Sequence, residues 1–103
     1  MRQFDVYENP SVLTRKPVPF VLVLQSHFLD TIPAIIVAPL MRSEVRVPYG
    51  RTSVPVMLQN ERFFASVAEL VAVQRRLLVR PLANLLAFED DLRRALALVF
   101  VGV

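Results

Sequence analysis

Phe20-Val21-Leu22-Val23-Leu24-Gln25-Ser26-His27-Phe28-Leu29-Asp30 is the stretch that decides the fold. It opens with an unbroken apolar run carrying Val21 and Val23, and Gln25 is its first polar residue. A short apolar run rich in β-branched residues reads as a buried strand over Phe20–Gln25. Ser26 to Pro33 breaks it. Upstream, Gln3–Tyr7 alternates polar and apolar, which predicts a half-buried strand. Asn9-Pro10-Ser11 is turn chemistry, and Thr14 to Pro19 is a polar, proline-bearing connection. Downstream, Ile35–Ala38 predicts another strand, which Pro39 ends or places on a sheet edge. Met41 to Ser53 is charged and holds Pro48 and Gly50, so it reads as a loop. Val54–Leu58 and Arg62–Ala65 read as strands joined by a hairpin turn at Gln59-Asn60-Glu61.

The segment from Val67 to Arg80 is two-sided. Ala68, Glu69, Leu70, Ala72, Gln74, Arg75 and Arg76 favour helix, while Val71, Val73 and Val79 favour strand. Propensity alone leans to helix. The last segment is plainer. Leu85, Phe88, Leu92, Ala95, Leu96 and Val99 recur at three- and four-residue spacing, which predicts one apolar face of a helix. Asn84 is the expected N-cap, and Gly102 the expected stop. Glu89, Asp90 and Asp91 stand before Arg93 and Arg94, the order that a helix dipole favours.

The chain has 103 residues, which predicts one domain over 1–103. Its 54% hydrophobic content is ample for a core. The net charge of +3 permits nucleic acid, an acidic protein or a membrane surface as partner. With no cysteine there are no disulfides or thiolate metal sites. Met1 to Asp5 lacks the apolar core of a signal peptide, and no run is long enough to span a membrane. The expectation is a cytoplasmic protein. His27 is the single histidine, too little for a typical transition-metal site; a solvated or structural role is the expectation. Consecutive Glu89, Asp90 and Asp91 do not share a helix face, so they read as dipole compensation rather than as a catalytic group. No nucleotide loop, Ser-His-Asp set or zinc spacing is present.

The sequence finishes where it is most apolar, at Leu96-Ala97-Leu98-Val99-Phe100-Val101-Gly102-Val103. Terminal residues usually fray. An apolar end must therefore pack in its own core, seal an interface, or stand as a binding patch.

Taken together, these motifs resemble the CcdB family, the toxins of ccd toxin–antitoxin modules. The resemblance rests on Val21-Leu22-Val23-Leu24-Gln25-Ser26 followed by Phe28, Leu29 and Asp30, then Val37-Ala38-Pro39-Leu40, then Pro55-Val56 before a hairpin, and a helix ending in Gly102-Val103. It implies a β-rich α+β fold: an SH3-like barrel of the CcdB/MazF type with a single C-terminal helix, acting as a homodimer. It also implies that Leu70 to Leu78 is largely strand, and that reading is followed over propensity. The activity it implies is a type II toxin of plasmid-maintenance kind that binds the DNA gyrase A subunit and traps its cleaved-DNA complex, with no enzymatic step of its own. A cognate, acidic and partly disordered antitoxin neutralises such toxins, and operator DNA is met only through that complex. No cofactor is implied.

Position by position, the resemblance places gyrase contacts at Phe28, Leu29, Ala97, Phe100, Val101, Gly102 and Val103. The clearest departure is Val101, where the best-known poison has Trp; a second is Ala34, near where relatives carry Arg. An aromatic ring offers far more contact area than Val, so weaker gyrase affinity is expected. Phe100 is expected to be partly structural. Arg75, Arg76 and Arg80 read either as a solvated strand edge or as the surface for the acidic antitoxin. Two alternatives stand beside the gyrase reading. MazF/Kid endoribonuclease toxins share the barrel, and fold does not fix function; a CcdB homologue can also have lost gyrase inhibition.

Overall fold

The computed structural model describes residues 1–26, 31–42 and 50–102. Among the described residues seven strands and one α-helix follow in chain order: β1 Asp5–Glu8, β2 Phe20–Val23, β3 Ala34–Met41, β4 Ser53–Leu58, β5 Glu61–Ser66, β6 Val71–Gln74, β7 Ala83–Asn84 and α1 Glu89–Phe100. All strand pairs are antiparallel. The order across the sheet is β4-β5-β3-β2-β1-β7, with β6 also paired to β3. The sheet curls into an SH3-like half-barrel, and α1 covers one of its faces.

β2 is apolar throughout because both of its faces are covered. Leu22 and Leu24 face a large core with Phe4, Val6, Leu40, Phe63 and, from the helix, Leu92. Val21 and Val23 face the other way, into a smaller cluster with Tyr7, Ile35, Val37 and Leu78.

β3 runs straight through Pro39, which therefore does not end the strand. Leu24 donates its N–H to Ile36 C=O at 3.0 Å. In this register that bond makes Leu22/Ala38 and Phe20/Leu40 the hydrogen-bonded pairs. The nitrogen of Pro39 therefore points away from β2. On that side β3 pairs with β6 only up to Val37 and with β5 only from Leu40. Pro39 falls in the gap between two partners, where no ladder donor is needed.

The β4–β5 hairpin turns on Gln59 and Asn60, at φ 53° and 63°. Two consecutive positive φ values make the primed turn whose twist suits adjoining strands. Arg42, just past β3, donates from Nε to the Glu61 carboxylate. Its guanidinium also lies 5.1 Å from the Phe63 ring centroid. The hydrogen bond from Arg42 holds the Glu61 carboxyl below the usual glutamate range, with partial desolvation opposing it. A carboxyl with a depressed folded-state pKa adds stability above its unfolded pKa and loses it as pH falls through the folded value. An NMR titration should put the Glu61 midpoint below that of free glutamate, and Arg42→Ala should return it to normal. An unshifted midpoint in the parent would contradict the pairing.

The segment Val67–Arg80 is neither the helix that propensity favours nor one long strand. Short 3₁₀ turns at Val67–Glu69 and Arg75–Leu77 flank β6. Pairing with β3 overrides the local preference for helix.

The N-terminal limit of α1 also differs from expectation. Asn84 does not cap it. Asn84 pairs with Asp5 in the sheet, and its Nδ2 donates to Asp5 Oδ1 at 2.9 Å. Its Oδ1 accepts the Leu86 N–H instead, at 2.9 Å. The chain then makes a 3₁₀ turn at Leu86–Phe88 before α1 begins. Glu89, Asp90 and Asp91 do occupy the first turn of α1, where the dipole favours them.

Candidate functional site

The site is built on the last turns of α1. Leu92 and Ala95 are buried against the sheet, and Leu96 and Val99 pack on the same core. Residues three and four apart share a face. Ala97, Phe100 and Val101 therefore form a second face, away from that core. Ala97 is half-buried, while Phe100 is 68% and Val101 72% exposed. Phe100 is thus not a core residue of the single chain, contrary to the expectation of a structural role. Gly102 sits at φ +85°, a region that costs glycine least. The N–H groups of Val101 and Gly102 both donate to Ala97 C=O, at 2.7 and 3.0 Å. These bonds fix the direction in which the apolar end leaves the helix.

The helix itself is held in register with the N-terminal segment. Arg93 Nη2 donates to Gln3 Oε1 at 3.0 Å, and Gln3 Nε2 donates to Leu24 C=O at 2.9 Å. The Arg93 guanidinium lies 5.6 Å from the ring centroid of buried Phe4 and pairs with Glu89. Phe28, Leu29 and Val103, also expected in the apolar contact, lie outside the described residues, as does His27.

The three arginines divide. Arg75 is engaged locally: its Nε donates to Ile32 C=O at 2.8 Å, and its Nη1 lies 3.6 Å from Met1 Sδ. Arg76 and Arg80 are exposed. Arg80 lines an open cleft of about 430 Å³ with Tyr7, Arg15, Leu77, Val79 and Leu82. Val79 there is 88% exposed. Arg15, ion-paired to Glu8 at 3.1 Å, belongs to this basic and apolar surface and was not singled out from sequence. Nothing in its local pattern marks it, since only the fold brings Arg15 beside Arg80. A second open cleft, of about 410 Å³, separates β4 from α1 between Arg51, Pro55, Arg94 and Leu98. Among the described residues no group of His, Cys, Asp or Glu is arranged to hold a metal ion. Among them, too, no helix is long and apolar enough to cross a membrane.

The family model described as CcdB protein matches residues 3–102, the sheet and the helix with its exposed end alike. The chain belongs to the CcdB family. CcdB proteins are toxins of toxin–antitoxin modules, and solved toxin structures have the same fold. A crystal structure of an Mtb toxin matches at 26% identity over 81% of this chain and 92% of that one, with a TM-score of 0.67. The Mycobacterium tuberculosis toxin MazF-mt6 matches at 20% identity over 96% of each chain, with a TM-score of 0.70. At that identity the second likeness speaks to the fold alone. A comparison with curated proteins gave no significant match. The curled antiparallel sheet with one C-terminal helix is therefore the CcdB/MazF-like toxin architecture, as the sequence motifs implied.

Proposed function

We propose that this CcdB-family toxin acts by binding, and that its target is the DNA gyrase A subunit, which it traps with its DNA cleaved. The observation that carries this reading is the apolar end of α1. Phe100 and Val101 stand exposed on one helical face and Gly102 sets the exit direction. An exposed apolar patch of this kind fits a protein contact. Ala97 borders the patch, and the family resemblance adds Val103, Phe28 and Leu29 to the contact. Two copies form a homodimer, so each assembly presents two such ends. An acidic, partly disordered antitoxin neutralises the toxin through the surface that holds Arg75, Arg76 and Arg80, and operator DNA is reached only through that complex. The compartment is the cytoplasm, where gyrase works.

The deciding experiment assays the purified protein on gyrase supercoiling and on RNA side by side. Inhibited supercoiling with accumulated cleaved DNA supports the reading. RNA cleavage with gyrase untouched replaces it with the endoribonuclease alternative. Val101→Trp should tighten gyrase binding by roughly tenfold, since a Trp anchor at an interface centre is worth a kilocalorie or more; calorimetry on the isolated gyrase A fragment reads this out. Sedimentation at low micromolar concentration should show a species of twice the chain mass, and a clean monomer would refute the dimer.

A further inference from the structure

β6 has an open hydrogen-bonding edge. One side of the strand pairs with β3, and among the described residues no strand pairs with the other. The register says which groups face outward. Arg75 N–H donates to Pro33 C=O at 2.7 Å. That bond makes Arg75/Pro33 a hydrogen-bonded pair, and with it Val73/Ile35 and Val71/Val37. Ala72 and Gln74 therefore direct both N–H and C=O away from β3. Both residues are exposed, and Val71 between them and the preceding turn is 51% exposed. An open, accessible edge of this kind is a template for an added strand.

The surroundings select what fits. At the Gln74 end the edge runs into an open cleft of about 360 Å³ lined by Pro33, Gln74, Arg75 and Arg76. Arg76 has no ion pair among the described residues. Glu69 stands at the opposite end of the strand. The edge thus carries an exposed cation, Arg76, beside the cleft at its Gln74 end. We propose that the antitoxin is captured here by strand addition: an extended antitoxin segment pairs with Ala72 and Gln74 and places its acidic residues at the Arg75–Arg76 end. Main-chain hydrogen bonds hold the added strand, and the cleft and the arginine charge set its direction and register. This rests on the toxin–antitoxin reading above and assigns that partner its mode of docking. An extended, disordered segment suits the edge because it carries free main-chain groups along its whole length.

Amide hydrogen exchange on the wild-type toxin, with and without its purified antitoxin, tests the proposal. Val71 and Val73 amides already bond to β3 and should be protected in both states. Ala72 and Gln74 amides should exchange freely in the toxin alone and become at least tenfold slower in the complex. That alternation is the signature of an added strand; a helix docking over the surface does not produce it. Ala72→Pro removes one outward donor and leaves the β3 ladder intact, so it should weaken antitoxin binding by about tenfold. Binding should also weaken with added salt. Tight antitoxin binding with Ala72 and Gln74 unprotected overturns the docking mode and leaves the antitoxin reading standing. Failure of the antitoxin to bind at all overturns both. Protection that rises with toxin concentration alone assigns the edge to a second copy of the chain and overturns the proposal.

Discussion

Removal of Gly102 and Val103 should abolish gyrase binding, by more than about a hundredfold, while the fold keeps its stability. The two effects separate because of how α1 ends. Gly102 is exposed and reaches the rest of the chain through one N–H, donated to Ala97 C=O. Val101 donates to the same carbonyl at 2.7 Å, so that acceptor stays satisfied without Gly102. Losing one solvent-accessible hydrogen bond costs about 1 kcal/mol or less. A central apolar contact at a protein interface commonly carries 2 kcal/mol or more. The same deletion should leave antitoxin binding near wild type, since the β6 edge is a separate element. Supercoiling inhibition, a urea melt and antitoxin binding on one preparation decide it. A truncated chain that still inhibits gyrase places the contact elsewhere. A truncated chain that melts early makes the end structural.

Phe63→Ala should be the most damaging single truncation of the sheet, costing about 3–5 kcal/mol. Phe63 is 1% exposed in the large core. Its ring meets Phe20 edge-on, with centroids 5.5 Å apart and planes at 79°, a geometry favoured by the ring quadrupoles. The Arg42 guanidinium also lies over the ring. The substitution thus opens a cavity, removes an aromatic pair and leaves the Arg42–Glu61 bond without the ring beneath it. Against a stability of about 5–15 kcal/mol typical of small domains, this is a large fraction. The urea midpoint should fall with an unchanged m-value, and Tm should fall by more than about 12 °C. Phe100→Ala is the matching control. Its ring is mostly in water, so its melt should stay near the parent's.

The contrast between these two phenylalanines shows what the sequence could and could not reveal. Helical spacing put Leu92, Ala95, Leu96 and Val99 on a buried face, and the structure agrees. The same spacing could not say whether Phe100 lies inside or outside that face, because the helix ends there and the exit is set by Gly102. The apolar run at β2 and the Gln59-Asn60 turn were legible because their signals are local. Pro39 is the opposite case, because its effect depends on distant pairing. A proline interrupts a strand only if a donor is needed at that position, and here the change of partner from β6 to β5 removes the need. Asn84 carries correct capping chemistry but spends it on Asp5 and Leu86, a choice made by β7 pairing with β1. The short β6 is set by pairing with β3, against the helix lean of the longer segment around it. Of the candidate site, the apolar residues come from the resemblance alone, and helical spacing does not name them. The division of the arginines into one engaged locally and two exposed was not legible, because it depends on where Ile32 and Met1 come to rest.

The Gln3–Arg93 bond joins positions 90 residues apart, and this has a consequence in time. Contacts between distant parts of a chain form late and slowly, after the cost of closing the loop has been met. During synthesis, β1 and Phe4 leave the ribosome long before α1 exists to cover them. The apolar end of the helix emerges after the whole sheet. A half-finished chain therefore has neither a completed core nor a presented contact. The exposed apolar end of α1 is therefore presented in its final direction only once the helix has docked on the sheet.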